Sequence, residues 1–135
     1  MGAWSHEPFG NDTANDWAYG LDGQRDLSLI EATLAKVLSS TDGYLEAPEA
    51  EEAIAAIEVI AKLLGRGSQT DSYTKKVDDW VASTGIAPPQ ELRTKAVQAL
   101  DRIVADDSEL AELWLESGDG AWLESVKLLR SAMSA

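Results

Sequence analysis

The sequence has no cysteine and only one histidine among its 135 residues. Without thiols there is no disulfide framework, no thiolate metal site and no cysteine nucleophile. The lone imidazole, His6, cannot build a two-histidine metal site, and His6-Glu7 lacks the second histidine of the zinc-protease pattern. Basic residues are also scarce: 11 Lys and Arg stand against 24 Asp and Glu, a formal net charge of −13. Nucleic acid is therefore not expected as a partner, since phosphate contacts need Lys and Arg. No apolar run approaches the ~20 residues of a membrane span, and the N-terminus lacks the basic and apolar regions of a signal peptide. A cytoplasmic chain that does not engage a membrane is expected. Gly65-Arg66-Gly67 lacks the spacing of a phosphate-binding loop, and no Asp-x-Asp-x-Asp-Gly calcium loop occurs. The Met1-Gly2 start does not fit N-myristoylation, because His6 stands where Ser or Thr is required.

What is present is core-forming material. The chain is 44% hydrophobic with five tryptophans, enough for a packed core and unlike a disordered acidic tail. Its length is that of one domain. The acid excess is uneven: residues 1–60 hold 12 of the 24 acids and only Arg25 and Lys36 as bases, a balance of −10, whereas residues 61–135 hold −3. The first part therefore carries most of the field that could steer a cationic partner.

Helical periodicity dominates after residue 10. Leu27, Ile30, Leu34, Val37 and Leu38 form one apolar stripe, with Asp26 placed to cap it and Asp42-Gly43 to turn the chain. Ala47-Pro48-Glu49 opens the next helix, with Glu49, Glu51 and Glu52 near its positive end and Lys62 and Arg66 at or past its negative end. Its wide apolar face marks it as the central helix. Gly65 and Gly67 stop it. Asp71 or Ser72 starts a shorter helix with Tyr73, Val77, Trp80 and Val81 on one side. A long helix follows from about residue 89 to Ala105, with Leu92, Ala96, Leu100, Ile103 and Val104 inward. Ser108 can cap the next, and Trp122, Val126, Leu129 and Met133 mark the last. Period-two alternation is missing, so no sheet is expected. The fold predicted is all-α: one domain over 1–135, six or seven helices within 11–133, and an irregular arm, residues 1–10, packed on the bundle. The echo of Trp114-Leu115-Glu116-Ser117 in Trp122-Leu123-Glu124-Ser125 is too short in period for a two-helix repeat, and reads as coincidence.

Carboxylates are the only catalytic material in quantity. Asp12 and Asp16 share a helix face at i, i+4, and Glu49 and Glu52 do so at i, i+3. Such pairs could hold a hard cation or act as acid and base, although capping and the helix dipole account for most of them. The Gly- and Pro-rich opening carries Trp4 and Phe9, two large aromatics able to dock the arm by their buried area.

The run Met1-Gly2-Ala3-Trp4, Pro8-Phe9, Asn11-Asp12, Ala14 and Asp16-Trp17 resembles the bacterial domain-of-unknown-function family 4259, whose members open Met-Gly-x-Trp-Gly-x-Gly-Pro-Phe-x-Asn-Asp-x-Ala-x-Asp-Trp. Glu51-Glu52-Ala53-Ile54-Ala55-Ala56 looks like its acidic, alanine-rich helix, and Ser108 to Trp114 followed by Trp122-Leu123 like its C-terminal portion. The resemblance spans nearly the whole chain. Ser5 and Glu7 depart from it where glycines are usual, which implies looser packing of the arm if those glycines serve a tight backbone approach. It implies a bacterial cytoplasmic setting and no catalytic residue, since the family has no established activity.

The function expected is that of a non-catalytic protein-interaction module, of immunity or inhibitor type, whose acidic first part masks a basic protein partner. Asp12, Asp16, Glu49, Glu51 and Glu52 are the candidate contact residues, with Trp4, Pro8, Phe9, Asn11 and Trp17 docking the arm. No metal and no cofactor are expected. The alternatives are a small metal-dependent hydrolase using the clustered carboxylates, and a structural or accessory domain without separable activity.

Overall fold

Helix α3, Ala47–Leu63, has almost no solvent face: eleven of its residues are buried, including Ala50, Ala53, Ala55, Ala56 and Ala61. Alanines let neighbouring helices approach closely, and the Ile54, Ile57, Val59 and Ile60 side chains between them each contribute about 1.5–3 kcal/mol on burial. The computed structural model describes residues 5–40, 43–118 and 120–134. Around α3 it places α1 (Asp12–Ala18), α2 (Ser28–Leu38), α4 (Lys75–Thr84), α5 (Gln90–Val104), α6 (Glu109–Ser117) and α7 (Ala121–Ala132). All six pack against α3. Short 3-10 turns at Tyr19–Leu21 and Ser72–Thr74 lead out of α1 and into α4. Among the described residues there is no strand, and no helix is long and apolar enough to cross a membrane.

Local chemistry sets the helix ends. Asn11 caps α1, its side chain accepting from the Ala14 N–H at 2.7 Å. Leu27, not Asp26, occupies the cap position of α2, while Asp26 accepts from the Ser28 N–H at 3.0 Å. Asp71 and Thr74 close a capping box before α4. Gly85 and Gly118 terminate α4 and α6 in the left-handed region that glycine tolerates. Arg66 does more than sit past the end of α3. It crosses the bundle to donate to the Ala132 carbonyl at the C-terminus of α7, 2.9 Å away, where a cation is favoured.

Val104, expected to face inward, and Tyr73, expected to share a helix side with Val77, Trp80 and Val81, both differ from expectation. Tyr73 is 51% exposed and Val104 39% exposed. Tyr73 falls in the 3-10 turn before α4, so its side chain leaves the stripe that an extended helix would give it. Val104 ends α5 beside a groove that no described residue fills.

Long-range polar contacts position α6. Leu45 and Ser108 form an isolated parallel bridge, with Leu45 N–H donating to the Asp107 carbonyl at 2.8 Å and Glu109 N–H to the Leu45 carbonyl at 2.9 Å. Glu109 then caps a helix not its own, its carboxylate accepting from the Ala47 N–H at 2.7 Å. Tyr44 donates to Glu112 at 2.8 Å, and that bond to a carboxylate pushes the phenol up to about 12. Arg102 secures the junction by donating to the carbonyls of Ser40, Gly43, Asp106 and Asp107.

Candidate functional site

The acids singled out in the sequence do not form one constellation. Asp12 and Asp16 are exposed on α1, whereas Glu49, Glu51 and Glu52 are half-buried in the first turns of α3. Burial pushes the Glu51 carboxyl up, opposed by a hydrogen bond from Thr13 and reinforced by the nearby Glu109 carboxylate. Glu51 reaches the arm, where it shares a cavity of about 20 Å³ with Ser5, His6, Glu7 and Asn11. That is space for a single water, not for a substrate. Among the described residues no three or more His, Asp or Glu side chains are grouped to hold a metal ion.

The arm itself is tied down. Pro8, Phe9, Gly10 and Asn11 are buried, Phe9 completely. Trp4 lies outside the described residues, as does Asp42 of the Asp42-Gly43 turn. Ser5 N–H donates to the Gly10 carbonyl at 3.2 Å and Gly10 N–H to the Glu7 carbonyl at 2.9 Å, closing a small loop. A Cβ on Gly10 would stand 2.1 Å from the Ser5 hydroxyl and 2.9 Å from its carbonyl oxygen, so the close approach belongs to position 10. Neither Ser5 nor Glu7 takes a positive φ, so the substituted glycine positions leave the described arm closely packed. Trp17 is buried from α1, its indole donating to Thr33 at 2.8 Å.

A polar knot under the arm was not singled out from the sequence. Glu58, fully buried on α3, accepts from the backbone of Ser68 and Gln69, both at 2.8 Å, and from the Ser68 hydroxyl at 2.9 Å. Burial pushes its carboxyl up, against these donors and the Lys62 ammonium 3.9 Å away. Lys62 also donates to the Gln69 carbonyl and pairs with Asp78 at 2.7 Å. Gln69 accepts from the Phe9 N–H at 2.8 Å and donates to Asp71 at 3.0 Å. The knot therefore binds α3, the 65–71 loop, α4 and the arm together. Gly67 makes room for it, because a Cβ there would fall 2.5 Å from Lys62 Cγ. The signal was available: Glu58 interrupts an otherwise apolar run from Ala53 to Ala61 and stands four residues before Lys62. Every hydrogen-bonding partner is local or internal, so the knot is structural.

The open site is elsewhere, between the C-terminal half of α6 and the N-terminal half of α7. Trp114 and Trp122 lie parallel there, centroids 6.4 Å apart with 4° between planes. Their far side faces the arm cavity. Their near side walls a solvent-open groove of about 270 Å³ completed by Val104, Ala111, Leu115 and Leu123. Gly118 and Gly120 floor the turn. Leu115 is 78% exposed and Leu123 41%. The two Trp-Leu-Glu-Ser copies are thus not a repeat unit, yet the structure sets them face to face: their tryptophans stack and their leucines form opposite lips. Helical period alone could not reveal this, because it depends on the hairpin turn between the helices.

A cleft of about 570 Å³ between the 21–25 turn and α4 is larger but mixed in charge, with Asp22 and Asp79 against Arg25 and Lys76. Lys76 is further engaged 4.1 Å from the Tyr19 ring. The opposing charges leave no preference for a ligand of one sign.

A family model described as Domain of unknown function (DUF4259) matches residues 2–125. No curated protein and no solved structure matches the chain.

Proposed function

We propose that this chain, which belongs to the DUF4259 family, is a non-catalytic protein-interaction module that works in the cytoplasm through the α6–α7 groove. The observation that carries this reading is the exposure of Leu115 and Leu123 beside a stacked tryptophan pair, an apolar opening that a lone soluble domain has no folding reason to keep. Aromatic anchors set in apolar pockets are where interface energy concentrates. The acid excess supports an immunity- or inhibitor-like version, in which the module covers a basic partner and its field speeds encounter. In this reading the C-terminal helices, rather than Asp12, Asp16, Glu49, Glu51 and Glu52, make the central contact. No observation favours a hydrolase, since the carboxylates scatter and the cavity at Glu51 admits one water.

The test is a photo-crosslinking residue at position 115 in the native host, beside a control at position 36 on the exposed face of α2. A discrete protein adduct is expected from the first and not the second, and Leu123→Glu in the same chain should suppress it. Adducts of equal intensity at both positions, or none at 115, would sink the reading.

A further inference from the structure

We propose that the occupant of the groove is the apolar stripe of a basic amphipathic helix on another protein. This names the partner of the site described above and rests on that reading. A small metabolite fits poorly. Ligand sites orient their cargo with a few convergent polar groups, and no ionisable side chain among the described residues lines this groove. Its volume of about 270 Å³ suits large hydrocarbon side chains, given that a dry cavity of about 150 Å³ lodges a benzene ring.

The charge around the groove selects the flanks of the occupant. Helix α6 bears Glu109, Glu112 and Glu116 and no base. These follow at i, i+3 and i+7, a like-charge stripe that mildly destabilises an isolated helix. Glu109 and Glu112 accept from the Ala47 N–H and the Tyr44 hydroxyl, whereas Glu116, exposed next to Leu115, has no ion pair among the described residues. Two cations of α7 are paired, Lys127 with Glu124 at 3.7 Å and Arg130 with Asp101 at 3.0 Å. Lys or Arg beside the partner's apolar stripe would therefore meet Glu116, next to Leu115, and the net charge of −13 carried by the whole chain.

A second copy of this chain is disfavoured by charge, since two molecules of −13 repel one another. The partner's secondary structure follows from the walls. A cleft between two helices receives the ridge of a third, and no unpaired strand edge is offered among the described residues for an extended peptide to extend.

The experiment uses the full chain and three synthetic peptides about 18 residues long, five helical turns: one with a leucine stripe and lysine elsewhere, one of the same composition scrambled, and one with the stripe kept and lysine replaced by glutamate. Binding is measured by calorimetry and tryptophan fluorescence against wild type, Leu115→Glu and Leu115→Ala, the last keeping the rim charge unchanged. Leu115 is exposed, so both variants are expected to fold, and circular dichroism checks it. The lysine-stripe helix should bind wild type at least about tenfold more tightly than either other peptide, and Leu115→Ala should remove most of that advantage. If the glutamate helix binds equally well with the same sensitivity to Leu115, the groove is a contact site but its basic occupant is wrong. If the scrambled peptide binds as well as the striped one, the attraction is only the acidic field and the helix proposal falls. If no peptide binds, or none responds to either variant, the groove fails as well. A dimer of the chain alone, dispersed by Leu115→Ala, would make the second copy the occupant and overturn the proposal.

Discussion

The Glu58–Lys62 knot hides charge in the middle of the bundle, whereas the α6–α7 groove leaves tryptophan and leucine at the surface. Both depart from the common sorting of polar outside and apolar inside, but only one departure is compensated within the molecule. Glu58 is surrounded by donors, and Lys62 by Glu58, Asp78 and the Gln69 carbonyl. Satisfied buried networks rigidify a core. Leu115 has no such compensation. A departure that is internally balanced belongs to folding, and the one left open is the surface on which the proposed encounter rests.

That comparison can be broken experimentally. The largest effect is expected at the knot: Lys62→Ala leaves Glu58 buried without its cation and should cost about 3–5 kcal/mol in denaturant melts. A loss under about 1 kcal/mol would mean that the knot is dispensable. Next comes Gly67→Ala, whose methyl would press on Lys62 Cγ; overpacking of this kind costs about 1–3 kcal/mol. A neutral result would show that the loop can shift away without loosening the arm.

The pH dependence sharpens the contrast further. Burial raises the Glu58 carboxyl above 4.5 in the folded chain. Between 4.5 and that raised value the folded state holds a proton that the unfolded state has released, so stability from this group falls as pH rises through the window. Above the window the penalty is complete. Wild type should therefore show a steeper fall in melting temperature from pH 4.5 upward than Glu58→Gln, which has no proton to lose. Parallel slopes would remove Glu58 from the account. The smallest effect is expected at the groove: Leu115→Ala should alter stability by no more than about 0.5 kcal/mol while weakening partner capture. A large destabilisation would turn the groove into core.

Much of the architecture is readable in the sequence because it is periodic and local. The stripe containing Ile30, Leu34 and Val37 is buried as its spacing requires, and the wide apolar surface of α3 does mark the centre of the bundle. Turn glycines at 85 and 118 act where the hydrophobic period stops. The site is harder to read because its parts meet only through tertiary contacts. Lys62 looks like a dipole-matching residue at a helix end until the 65–71 loop folds the Gln69 carbonyl and α4 its Asp78 onto it. Glu58 could have been noticed, since a helix apolar on every side gives a carboxylate no route to water. Val104 looks like an inward position in its own helix. Only the packing of α6 and α7 beside the end of α5 leaves it at an opening.

The exchange of caps between α3 and α6 bears on how the molecule opens. The Ala47 amide is held by Glu109, the Glu109 amide by the Leu45 carbonyl, and the Leu45 amide by the Asp107 carbonyl. Each of these three bonds joins segments some sixty positions apart in the chain. In hydrogen exchange they should behave as one cooperative unit, released together at a shared opening free energy. Anything that grips α6 from outside would slow that release, carrying a signal from the lip of the groove to the first turn of the central helix.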